Sequence, residues 1–95
     1  MGFIETEKHP IIEKIKDYDR LDFGSKHILV LITSVWERMT PQDKVEAVSE
    51  LQKDILNMKT EEFIKDKVPD NMVARHHEIM EIMDRAVEVL KGEVK

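Results

Sequence analysis

Residues 25–39, SKHILVLITSVWERM, are the most apolar stretch of the chain, and their pattern decides its class. Projected at about 100° per residue, Leu31, Val35, Ile28, Met39, Ile32, Trp36 and Leu29 fall on one continuous arc. Lys26, His27, Thr33, Ser34, Glu37 and Arg38 fall on the other side, and Val30 is the one apolar intruder there. The β-branched residues in this run would suit a strand, but a half-buried strand alternates with period two and this stretch does not. A bilayer span needs roughly 20 apolar residues, more than are present. The stretch therefore predicts the central helix of a small all-α bundle, and the most buried one.

The flanking punctuation predicts the other helices. Pro10 suits the first turn of a helix, where its missing N–H costs nothing. Ile11, Ile12, Ile15 and Tyr18 then extend this helix to about Leu21, and Gly24-Ser25 reads as its C′ glycine followed by the next N-cap. Thr40-Pro41-Gln42-Asp43 is a strong start signal for a third helix carrying Val45, Val48, Leu51, Ile55, Leu56 and Met58. Thr60-Glu61-Glu62 starts a short turn with Phe63 and Ile64, which Val68-Pro69 stops. Asp70 then caps a last helix from about Asn71 to Lys91, closed by Gly92. Short connections join antiparallel neighbours, so the expectation is an up-down antiparallel bundle of four principal helices plus one short helical turn. Residues 1–95 form a single domain in this reading. Residues 1–8 are a tail, or a lead-in in which Phe3 and Ile4 tuck against the bundle.

Composition narrows the function classes. Ninety-five residues with 41% hydrophobic and 37% charged side chains support one core. The net charge of −5 is spread along the chain, with no Lys/Arg run, which argues against nucleic acid and against an anionic membrane surface. The absence of cysteine removes disulfides, thiolate metal sites and cysteine nucleophiles. Residues 1–10, MGFIETEKHP, lack the basic start and apolar stretch of a signal peptide, so cytoplasmic residence is the expectation.

The last helix carries more apolar surface than one side of a bundle uses. Met72, His76, Ile79, Met83, Ala86 and Leu90 follow coiled-coil seam spacing. Val73, Met80 and Val87 flank the seam on one side, and Ile82 and Val89 on the other. Together they cover an arc of about 200°, against a little over 100° for a helix facing one core. Either this helix sits in the middle of its own bundle, or part of the arc is buried against a partner. On the second reading, Val73, Met80, Ile82, Val87 and Val89 are candidate partner-contact residues, and the partner is another protein or a second copy in a homodimer.

No constellation reaches the level of a reaction. His76 lies within the apolar arc as a core histidine or a candidate polar switch, whereas His77 lies on the polar face with Glu81, Asp84 and Glu88. His9 with Glu13 and His77 with Glu81 have i,i+4 spacing, but the chain has no Glu-x-x-His, the motif on which di-iron bundles depend. Asp17, Asp19 and Asp22 open like a calcium loop, yet its sixth and twelfth positions are Asp22 and Ile28 instead of Gly and Glu. Arg20, Arg38, Arg75 and Arg85 stand at edges or helix ends, leaving no inward cationic set for an anionic substrate. Ser25, Ser34 and Ser49 have cap or surface explanations. The expectation is therefore no metal, no cofactor and no catalytic residue. The chain reads as a small non-enzymatic interaction module (a regulator, adaptor or accessory subunit) acting through protein-protein contacts. The alternative is a small-molecule-binding or enzymatic helical domain with a pocket between helices near Trp36 and His76.

Overall fold

Pro10 opens the first helix where its sequence position suggests, and the His9 Nδ1 atom caps it by accepting the Ile11 N–H at 3.1 Å. The computed structural model describes residues 9–94, and all regular structure among them is helical: α1 (Pro10–Glu13), α2 (Phe23–Ser34), α3 (Pro41–Met58), α4 (Glu61–Lys67) and α5 (Val73–Glu93). The chain is an all-α helical bundle. No helix among the described residues is long and apolar enough to cross a membrane. The expected roles of Phe3 and Ile4 fall outside the described residues.

The first expected helix is broken, for a geometric reason. Ile11, Ile12, Ile15, Tyr18 and Leu21 are all buried. On a continuous helix Ile12 and Leu21 would lie about two and a half turns apart and face opposite ways. Instead α1 ends at Glu13, Asp17 takes a left-handed conformation with φ 65°, and a 3-10 turn at Tyr18–Arg20 returns Leu21 to the core. Asp tolerates this region better than most residues because its short polar side chain bonds locally. Three ion pairs then fasten the segment to α5: Lys14 to Glu93, Asp17 to Arg85 (3.1 Å) and Arg20 to Glu78. The partners descend α5 as the segment ascends, so the two run antiparallel. Asp17, Arg20 and Arg85 thus bond across elements. Each such solvated pair contributes about 0.2–1 kcal/mol.

Two boundaries of the deciding stretch also shift. Asp22, not Ser25, caps α2, its Oδ1 accepting the Ser25 N–H at 3.4 Å, so Gly24 lies inside the first turn. The helix stops at Ser34 instead of Met39. The Thr33 hydroxyl donates to the Leu29 carbonyl (2.9 Å) and the Ser34 hydroxyl to the Leu31 carbonyl (2.8 Å), local bonds that compete with helix continuation. Val35 departs to φ −111°, and a 3-10 turn at Trp36–Arg38 carries Trp36 into the core, with the Lys44 ammonium 5.2 Å above its ring. Thr40 and Thr60 cap α3 and α4 as their spacing predicts, accepting the N–H groups of Asp43 (3.0 Å) and Phe63 (3.1 Å). Asp70 begins a 3-10 turn, and the residue capping α5 is Met72, without a side-chain bond.

The most buried helix is α5, not α2. Ile79, Met80, Ile82, Met83, Ala86, Val87 and Leu90 are all in the core, with Ala86 and Leu90 fully enclosed. In α2 only Leu29 and Thr33 are buried, while Ile28, Val30 and Leu31, and Val35 just beyond its end, are exposed. The described residues span 39 × 35 × 19 Å, a thin plate in which a helix lies close to the surface. In a plate of that thickness an outer helix has one face inward and one outward, and α2 is such a helix.

Leu90→Ala is expected to lower the unfolding free energy by about 2–5 kcal/mol in urea denaturation of dilute protein. Leu31→Ala should change it by about 0.5 kcal/mol or less. Equal losses would restore α2 as the centre of the core. At the left-handed turn, Asp17→Ala should cost about 1–2 kcal/mol more than Asp17→Gly, because both lose the Arg85 contact but only alanine carries the Cβ penalty.

Candidate interaction face

The inner side of α2 is held by Leu29, Thr33 and, just beyond its end, Trp36. What this leaves outside is unusual in composition. Phe23, Ile28, Val30, Leu31 and Val35 are exposed and apolar, and Gly24, His27 and Ser34 are the exposed residues between them. None of these eight positions carries Asp, Glu, Lys or Arg, in a chain whose charged content is 37%. Phe23 is 84% exposed and Leu31 53%, and the Phe23 ring stacks on His27 with centroids 6.2 Å apart. From Phe23 to Val35 the face is about 18 Å long. Its apolar area is on the order of 400 Å², the size of the largest patch on a typical monomer, which is often functional.

The sequence carries a signal for this face that the chosen boundaries conceal. With α2 starting at Ser25, Phe23 belongs to a connection and Val30 is an isolated exception. With α2 starting at Phe23, the two join Leu31, Ile28 and Val35, and the helix is apolar on nearly every side. Such a helix has to meet neighbours on two faces.

The residues singled out on the last helix have a different fate. Met80, Ile82 and Val87 are buried, Val89 is half-buried against the core, and Val73 is half-buried near the helix start. Helix α3 and the 10–21 segment cover α5, so the rows flanking its seam are committed within one chain. A second protein has no access to Met80, Ile82 or Val87 in the folded molecule.

His76 is half-buried, and its Nε2–H donates to the Met58 carbonyl at 2.8 Å. That carbonyl belongs to the last turn of α3, where intrahelical partners run out. The ring also stacks on Phe63 of α4, centroids 5.9 Å apart, so one side chain joins three helices. An open cleft of about 340 Å³ lies beside it, with Val68, Met72 and Ile79 as apolar lining and Lys67, Arg75 and Asp22 at the polar margin. Trp36 does not line this cleft. Asp22 and Asp17 of the acidic cluster are engaged as helix cap and ion-pair partner. No group of three or more His, Asp or Glu side chains among the described residues is arranged to hold a metal ion.

Comparison with protein-family models, curated proteins and solved structures finds no match to this chain.

His76→Ala should lower the unfolding free energy by about 1–2 kcal/mol, the cost of orphaning the Met58 carbonyl and losing the stacked ring. His77→Ala, at an exposed position, should leave the melting curve unchanged. Indistinguishable melting of the two variants would remove His76 from the junction of α3, α4 and α5.

Proposed function

We propose that this chain is a small non-enzymatic interaction module, a regulator, adaptor or accessory subunit, that works in the cytoplasm through protein-protein contacts made by the outer face of α2. The single observation that supports this is the uncharged apolar face from Phe23 to Val35, left exposed by a core that α5 organises. Exposing several large apolar side chains on one helix opposes solubility, and contiguous patches of this kind mark binding sites on soluble proteins. Burying Phe23 and Leu31 in a contact would contribute about 1.5–3 kcal/mol per fully transferred side chain.

The alternative reading, a small-molecule site, has the cleft at His76 in its support. Its mixed lining of Met72 and Ile79 with Lys67 and Arg75 would suit a small amphipathic anion. It is open, and the two groups in it that could act as a base are already bonded to backbone, His76 to the Met58 carbonyl and Asp22 to the Ser25 N–H.

Quantitative affinity capture from host extract, comparing the parent protein with Leu31→Asp, tests the first reading. The variant should keep the parent's circular dichroism and melting temperature while losing a reproducible, stoichiometric protein ligand. Retention of every ligand by a folded Leu31→Asp protein would remove the α2 face from the function. Specific loss through Arg75→Glu instead would favour the cleft.

A further inference from the structure

We infer that the partner covering the α2 face is a second copy of this chain, docked antiparallel across a two-fold axis passing beside Leu29. The inference rests on the reading of that face as a protein-contact surface and names its occupant. Three properties of the face support it.

First, a face without charge has nothing with which to select a charged partner, whereas it is complementary to itself. Two copies bring no like charges together at the centre, although each chain carries a net charge of −5.

Second, the face is symmetric about the residue that anchors α2 inward. Leu29 is fully buried, and the exposed positions lie evenly on either side of it along the helix. An antiparallel two-fold pair then forms layers in which Phe23 shares a level with Val35 of the other copy, and His27 with Leu31. These two layers pair a ring with an aliphatic side chain, while Gly24 shares a level with Ser34 and Ile28 with Val30, an alternation of large and small layers that lets facing helices interdigitate. An isologous contact requires such self-complementarity.

Third, the size fits. Two such patches remove on the order of 800 Å² of apolar surface. A polar rim from neighbouring residues brings the total to about 1,000–1,200 Å², the range of weak and transient complexes. The expected dissociation constant is therefore micromolar.

Sedimentation of the full chain over about 1–500 micromolar should show a monomer–dimer equilibrium. Leu31→Asp should raise the dissociation constant at least tenfold with unchanged circular dichroism. Phe23→Asp, at a position 84% exposed, gives a second variant that leaves the core intact. A parent protein monomeric throughout overturns the inference, as does a dimer unaffected by either folded variant. Geometry is read separately by cross-linking, since the chain has no cysteine of its own. Gly24 and Ser34 occupy matching levels in the pair, and a Cβ at Gly24 meets nothing closer than Asp22 Oδ2 at 3.7 Å. A mixture of Gly24→Cys and Ser34→Cys chains should oxidise to the mixed dimer. Two copies of Gly24→Cys place their thiols about 15 Å apart along the axis, beyond disulfide reach. Dominant 24–24 or 34–34 products would overturn the antiparallel arrangement. A monomeric parent whose captured ligand is still lost in Leu31→Asp would sink self-pairing while leaving the contact-surface reading intact. Flotation of a monomeric parent with phosphatidylcholine vesicles would assign the face to lipid and overturn both.

Discussion

The packing of α5 sets what every other element can do. Its buried residues recur on both flanks of the seam, from Ile79 to Leu90, and Ala86 at the middle is small enough to admit a close neighbour. A chain of this length supports one core, and a helix apolar across about 200° uses most of it. Helix α3 covers part of that arc and the 10–21 segment another part. To reach α5 with Ile12 and Leu21 together, the segment has to bend, and the left-handed Asp17 is where it does. Once those positions are filled, α2 meets the interior through a narrow strip at Leu29, Thr33 and Trp36. The exposed face of α2 follows from the demands of α5.

The helical class was legible because periodicity is a local property. Thr40, Pro41 and Asp43 specify the start of α3 through one side-chain bond, and Val68-Pro69 ends α4 by steric exclusion. Neither depends on distant residues. The direction in which an apolar arc faces is not local. Leu31 and Leu29 stand on opposite flanks of one arc, and nothing within residues 25–39 states which flank meets the core. Burial at Leu29 is decided by elements outside the stretch, α1 among them. The same applies to Met80, Ile82 and Val87, for which pattern alone left a central position and an external contact equally compatible.

The candidate face was hidden by a shift of three residues in the helix cap. Asp22 and Ser25 are both acceptable N-caps, and Gly24 between them reads as a stop signal. Choosing the earlier cap admits Phe23 to the helix and changes an amphipathic pattern into a nearly all-round one. His76 was easier to read. A histidine within an apolar arc needs a polar partner, and the end of α3 supplies one in the Met58 carbonyl.

The ion pairs along α5 also order events in time. Lys14, Asp17 and Arg20 meet partners 79, 68 and 58 residues later in the chain. For a helical protein these are long loops to close, and long loops slow the search for the native topology. During synthesis, the segment from Ile11 to Leu21 can settle against α2 first, but the apolar surface it shares with α5 stays uncovered until α5 has left the ribosome. The nascent chain therefore presents its inward and outward apolar faces together, and the interval before α5 emerges is when it has most need of a chaperone's shelter.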